Sequence, residues 1–353
     1  MRDSVLYKVE NGIGWMTLNR PKAINSLSFE VVTSLEKQLI KWEKDPEVAL
    51  ICLIGAGKKG FCAGGDVREL YEQGQEGNTG AAVDYFATEY RVDQLVHQFP
   101  KPILVYMDGI VMGGGVGLSI GASHRIVTEN TKWGMPEMNI GFFPDVGSSY
   151  YLNQMPGELG RFLALTATIV KPEDVLYAGA ADYNLPGEEW PRLEEALREK
   201  HWSPETANEQ LSKLLDTFCV APNPTCELAE RQVEIDRYFS KETVEEILES
   251  LSQAAAEGNE WASAVKEEML KKSPTSLKVT LEQLKKGKGQ SLEACFAMER
   301  TIAMNFMHSH DFYEGVRAVL VDKDHNPKWQ PPTINEVSAH DVVSFFEKKD
   351  SHK

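Results

Sequence analysis

Pro102-Ile-Leu-Val-Tyr-Met107, then Asp108-Gly109-Ile-Val-Met112, the run Gly113-Gly-Gly115-Val-Gly117-Leu-Ser-Ile-Gly121, and Arg125-Ile-Val-Thr128 stand in succession in the chain. The first segment is short and apolar, as a strand buried on both faces is. The glycine run opens a short apolar helix, and the last segment reads as a second strand. Strand, helix and strand in this order are the repeating piece of a layered α/β fold with crossover connections.

The same alternation extends outward. Residues 5–18 read as a β-hairpin turned by Asn11-Gly12. Val32, Leu35, Leu39 and Trp42 keep helical intervals of three and four. Residues 49–55 read as a buried strand, and a helix runs through Phe86, Tyr90 and Leu95. From about Gly157 the strand signals fade and helical patterns follow one another, over 161–165, 172–178, 188–199, 205–218, 228–239, 244–257, 261–271, 277–286 and 292–306. The acidic stretch 184–204 reads as a join, and 285–289 as a basic loop. The tail 333–353 reads as one more amphipathic helix with a charged end. This divides the chain into 1–200, an α/β core carrying the chemistry, and 201–353, a helical C-terminal region.

The 353 residues, 42% apolar and 25% charged, are ordinary values for a chain with a large buried core. A net charge of −16 argues against nucleic acid as a partner, because a basic face supplies most of that affinity. Cys52, Cys62, Cys219, Cys226 and Cys295 are scattered, with no metal-binding spacing, and the eight histidines are dispersed, so no metal is expected. An odd cysteine count suits a reducing compartment. Residues 1–4 lead straight into strand-like sequence without an apolar leader, which makes the cytoplasm the expectation. The most apolar stretch, 49–55, is too short to cross a bilayer, so no membrane role is expected.

Three segments can carry chemistry. The glycine run 113–115 has neither the dinucleotide nor the P-loop spacing. It is a tight turn into a helix, or a source of free backbone N–H groups for a developing oxyanion. Phe61-Cys-Ala-Gly64-Gly65-Asp66 is a second such loop after a buried strand. In 134–147, Glu137 and Asp145 sit among Met, Ile, Phe and Val with almost no other charge. They are solvent-facing loop residues, or functional acids in an apolar setting.

Taken together, these motifs resemble the crotonase (enoyl-CoA hydratase/isomerase) superfamily. Leu18-Asn-Arg20-Pro-Lys22-Ala23-Ile-Asn-Ser-Leu27 resembles its coenzyme A-proximal loop, and the loops at 61–66 and 108–115 resemble its two oxyanion-hole loops. The resemblance implies a spiral of stacked ββα units followed by a helical C-terminal region. It implies an acyl-CoA substrate and no separate cofactor, coenzyme A being part of the substrate. It further implies N–H donors at Gly65 and Gly114, and substrate contacts from Lys22, Ala23, Ala63, Asp66 and Glu89. A homo-oligomer, a trimer, is implied as well. The hydratases carry a catalytic Glu three residues beyond the second oxyanion glycine, where this chain has Gly117. Their second acid is matched by Glu137, and Asp145 stands where they commonly have glycine. That pattern resembles the hydroxyacyl-CoA hydrolases of the superfamily. So do Asp311-Phe-Tyr-Glu-Gly-Val-Arg-Ala318, Asp322-Lys-Asp324 and Asn326-Pro-Lys-Trp329, which extend the likeness to nearly the whole chain. Thioester hydrolysis is the expected reaction, with Glu137 as general base or nucleophile and Asp145 placing water or the acyl hydroxyl. A hydratase or isomerase, and a non-catalytic CoA-binding protein, are the competing readings. Arg20, Lys22 and the 285–288 lysines are the candidates for the CoA phosphates.

Overall fold

The computed structural model of the protein describes residues 3–221 and 225–348. Asn11 and Gly12, both with positive φ (50° and 89°), make the two-residue hairpin turn between the strands Val5–Glu10 and Ile13–Leu18. Ile13–Leu18 then pairs in parallel with Leu50–Gly55, which pairs in parallel with Ile103–Met107, then His124–Val127, then the edge strand Tyr183–Asn184. The result is one six-stranded sheet. Each of three of its strands is followed at once by a three-residue strand of a second, all-parallel sheet: Gly60–Cys62, Ile110–Met112 and Lys132–Gly134. The chain therefore climbs in turns of strand, short strand and helix or helical turn, the ββα spiral that the resemblance implies.

The contacts divide the chain into two compact units. One takes in residues up to Asp66, Thr88–Gly134 and Val170–Ala229; the other takes in Val67–Ala87, Met135–Ile169 and the chain from Glu230 onward. The first holds both sheets. Its core joins Ile13, Trp15, Leu50, Cys52, Leu104 and Ile126 of the strands to Leu185, Leu193, Leu197, Trp202, Leu211 and Leu215. The stretch read as a join is thus packed core. Helix Trp190–Glu199 places Leu193 and Leu197 four apart on its inner face, and the Trp202 indole N–H donates to Leu197 O at 3.0 Å. Each such buried leucine contributes about 1.5–3 kcal/mol, which outweighs the acidic outer face.

The second unit is helical. Ser273, Ser291 and Ser309 each start a helix by accepting an N–H from the first turn, of Ser276, Ala294 and Asp311; such a cap contributes about 1 kcal/mol. Phe142, Phe143, Phe306 and Phe312 pack ring against ring, with centroids 4.6–5.5 Å apart. The basic loop is half helix: Pro274–Gly287 includes Lys285 and Lys286. Their ammonium groups pair with Glu242 at 3.2 Å and Glu282 at 3.3 Å. The tail helix is the short Ala339–Ser344, and the charged end at 349–353 lies outside the described residues.

Candidate active site

Within the first unit, the coenzyme A-proximal loop and the first glycine loop are joined along their backbones. Leu27 N–H donates to Gly64 O (2.9 Å), Asp66 N–H to Leu27 O (2.9 Å), and Ala63 N–H to Ile24 O (2.9 Å). Because Gly64 and Asp66 make the parallel bridge to Leu27, the N–H of the intervening Gly65 points to the opposite side. Asn25 braces the pair, its amide NH₂ reaching Ala56 O, Gly60 O and Phe61 O at 3.0–3.1 Å. Arg20 donates to Ser26 O (2.6 Å) and to the Asp66 carboxylate (2.9 Å). Asp66 and Arg20 are thereby each other's partners, while Lys22 and Ala23 are exposed. The Ala23 and Ala63 amides are committed to Arg20 O and Ile24 O, and the Ala23 carbonyl already accepts from Ser26 N–H at 3.1 Å.

Gly114 opens the helix Gly114–Ile120, so its N–H has no partner in the preceding turn of that helix. A Cβ added there would lie 3.3 Å from Gly65 N, 3.2 Å from Leu27 Cδ1 and 2.5 Å from Glu89 Oε1. The two amides expected to face one oxygen are therefore neighbours, with the buried Glu89 carboxylate beside them. Gly117, inside the same buried helix, offers no side chain. Gly113 N–H donates to Gly134 O at 3.2 Å, which fixes the end of strand Lys132–Gly134 three residues before Glu137.

In the second unit Glu137 and Asp145 are buried, not solvent-facing. Glu137 lies in the 3₁₀ turn Pro136–Ile140, closed by the Gly141 and Phe142 N–H groups on Glu137 O. Two outside restraints hold this turn. Lys272, itself buried, donates from Nζ to Asn139 Oδ1 (2.5 Å) and to Glu268, and burial holds its pKa below the usual lysine range. Helix His310–Val316 approaches so closely that a Cβ on Gly141 would strike Asp311 O and one on Gly315 would strike the Ile140 backbone. Asp311 is fully buried and accepts from Ser273 Oγ (2.5 Å) and Gln330 N–H (2.8 Å), so it is a structural hub.

Asp145 precedes a tight turn. Val146 is left-handed at φ 51°, a conformation costing a β-branched residue roughly 1–2 kcal/mol. Glu299, fully buried in helix Leu292–Phe306, accepts from Gly147 N–H (2.7 Å), Ser149 N–H (2.8 Å) and Ser149 O–H (2.6 Å). Burial pushes its pKa up to about 7; the bonds from Ser149 and Gly147 work against the rise and the nearby Asp145 adds to it. Sequence reasoning missed Glu299 and Lys272, and it marked Asp311 only as part of the resemblance motif 311–318, with no role of its own. One signal was present: Glu299 interrupts the apolar stripe of Cys295, Phe296, Ile302, Ala303 and Phe306. Among the described residues, no cluster of three His, Cys, Asp or Glu has the arrangement of a metal site, and no helix is long and apolar enough to cross a membrane.

A family model for enoyl-CoA hydratase/isomerase matches residues 13–346, and the chain belongs to that family. A Gallus gallus protein named 3-hydroxyisobutyryl-CoA hydrolase, mitochondrial, is 43% identical over 97% of this chain and 88% of its own length. A Neurospora crassa protein named small ribosomal subunit protein mS47 is 39% identical over 95% of this chain and 69% of its own. The crystal structure of a carnitinyl-CoA dehydratase from Mycobacterium thermoresistibile superposes with a TM-score of 0.90 at 37% identity, covering 99% of this chain and 98% of that one. The cytoplasmic expectation is corrected: the hydrolase relative is mitochondrial by name. Unpaired cysteines mark a reducing compartment and do not single out the cytosol.

Proposed function

We infer that the chain is an acyl-CoA thioester hydrolase acting on short hydroxyacyl groups, with 3-hydroxyisobutyryl-CoA as substrate. The observation that carries this reading is the 43% identity, over nearly the full length of both chains, to a hydrolase of that name. The site chemistry agrees with it. Hydration of a double bond uses two acids to place water and pass a proton, and Gly117 removes one of them. Hydrolysis needs a polarised carbonyl, an activated oxygen nucleophile and a group that orients it.

In this mechanism the Gly65 and Gly114 amides donate to the thioester oxygen as it gains charge; one such donor contributes about 10²–10³ in rate. Glu137 takes a proton from water as the water oxygen adds to the carbonyl carbon, or its carboxylate attacks that carbon to give an anhydride that water then hydrolyses, restoring the acid. The carbon–sulfur bond breaks, and coenzyme A leaves as the thiol with a proton. Asp145 orients the water or the acyl hydroxyl, and Glu89 binds the other of these. Coenzyme A enters as part of the substrate, with no further cofactor. Of the basic residues of the coenzyme A-proximal loop, the exposed Lys22 is the one left for its phosphates, since Arg20 is already paired with Asp66. The native state is a homo-oligomer, a trimer by family resemblance, and light scattering checks it.

The ribosomal relative favours a second reading, a structural component of a larger assembly. The net charge of −16 weighs against contact with RNA. A panel of acyl-CoA thioesters separates the readings. Rapid thiol release from 3-hydroxyisobutyryl-CoA, with little loss of crotonyl-CoA absorbance, is expected. Absorbance loss without thiol release would make the chain a hydratase, and no turnover of any thioester would leave the assembly role.

A further inference from the structure

The turn after Asp145 is held by a carboxylate to which the mechanism above gives no part. Helix Ser148–Tyr151 begins at Gly147, which has no side chain with which to cap it. Glu299 fills that place from 150 residues away, one oxygen on Gly147 N–H and the other on the N–H and O–H of Ser149. Gln283 closes the turn from the other side, its amide NH₂ donating to Pro144 O (2.8 Å), Ser148 Oγ (3.0 Å) and Ser149 Oγ (2.9 Å). Between these anchors Val146 is left-handed. A strained residue persists only where its surroundings over-determine it, and here the residue it adjoins is Asp145.

We propose that Glu299 is a positioning residue for hydrolysis: through the Gly147–Ser149 turn it fixes the direction of the Asp145 carboxylate. This rests on the reading of Asp145 as the group that orients water or the acyl hydroxyl. The titratable groups facing Glu299 are Asp145 and the Cys295 thiol. The thiol is pushed up to about 11, chiefly by burial and further by Glu299, so it stays neutral.

Glu299→Gln keeps the size of the side chain and removes its charge. The expected result is a fall in kcat of about 10–100-fold with KM changed less than about threefold. Ser149→Ala removes the hydroxyl that donates to Glu299 and accepts from Gln283 without burying a new group, and tests the same clamp should Glu299→Gln fold poorly. It is expected to lower kcat by a few fold, with KM again unchanged. Asp145→Asn, measured alone, must slow turnover; wild-type turnover in that variant sinks the reading of Asp145 whatever Glu299 does. If Asp145→Asn is slow while Glu299→Gln and Ser149→Ala leave kcat unchanged, Asp145 keeps its role and the Glu299 proposal is overturned. It is also overturned if the losses in the Asp145→Asn/Glu299→Gln double variant simply multiply, since a residue acting through Asp145 has little left to lose once Asp145 is gone.

Discussion

Gly114 is the residue at which sequence and geometry meet most closely. Its missing side chain leaves room for the Gly65 amide, the Leu27 methyl and the Glu89 carboxylate around one point. Gly114→Ala puts a methyl 2.5 Å from Glu89 Oε1, so either the acid or the helix start must shift. The expected outcome is a loss in kcat/KM of about 10²–10³ with a circular dichroism spectrum like that of the wild type. Activity within twofold of the wild type contradicts the donor assignment. The glycines and acids of this site were legible as residue types, because an oxyanion donor must be backbone and an acid in an apolar stretch is conspicuous. Glu89 was visible only through the family resemblance, since an acid on a helix is ordinarily a solvated one, and its burial follows from packing that no local pattern encodes.

Elements were legible in proportion to their length. The hairpin at Asn11-Gly12, the helix Phe29–Glu43 and the strands Leu50–Gly55 and Ile103–Met107 follow from turn chemistry and apolar period. The second sheet was legible only through the ββα resemblance, not from local pattern. Its strands Gly60–Cys62, Ile110–Met112 and Lys132–Gly134 are three residues each, shorter than one full alternation can reveal. The contact of helix His310–Val316 with the Glu137 turn was equally hidden, because it depends on two glycines, Gly141 and Gly315, far apart in sequence. That contact predicts that Gly315→Ala, which drives a methyl into the Ile140 backbone, destabilises the protein by about 1–3 kcal/mol, as overpacking does. It also predicts a lower kcat, since the displaced turn carries Glu137. Urea unfolding and steady-state kinetics check both, and an unchanged midpoint contradicts the close approach.

For the molecule as a whole, Glu299 links stability to pH. Its pKa is raised from an ordinary 4.5 to about 7 in the folded state. The stability tied to its neutral form is complete below about 4.5 and is lost as pH rises toward 7, because the unfolded chain releases that proton earlier. Between pH 4.5 and 7 the wild type is expected to lose Tm relative to Glu299→Gln, with the difference constant above pH 8; scanning calorimetry at four pH values reads it. A difference independent of pH contradicts the raised pKa. The family-wide outline of the molecule, a ββα spiral with helices after it, was readable because its motifs fall in order along the chain. The division of the chain's segments between its two compact units was not, since it depends on which distant segments pack together within each.

Thiol release from 3-hydroxyisobutyryl-CoA by the wild type and by Glu137→Gln, under saturating substrate and with folding verified by Tm, probes the chemistry most directly. The wild type should release free coenzyme A steadily. Glu137→Gln should bind the same substrate and release thiol about 10³-fold more slowly or less. Equal rates for the two proteins would contradict hydrolysis driven by Glu137.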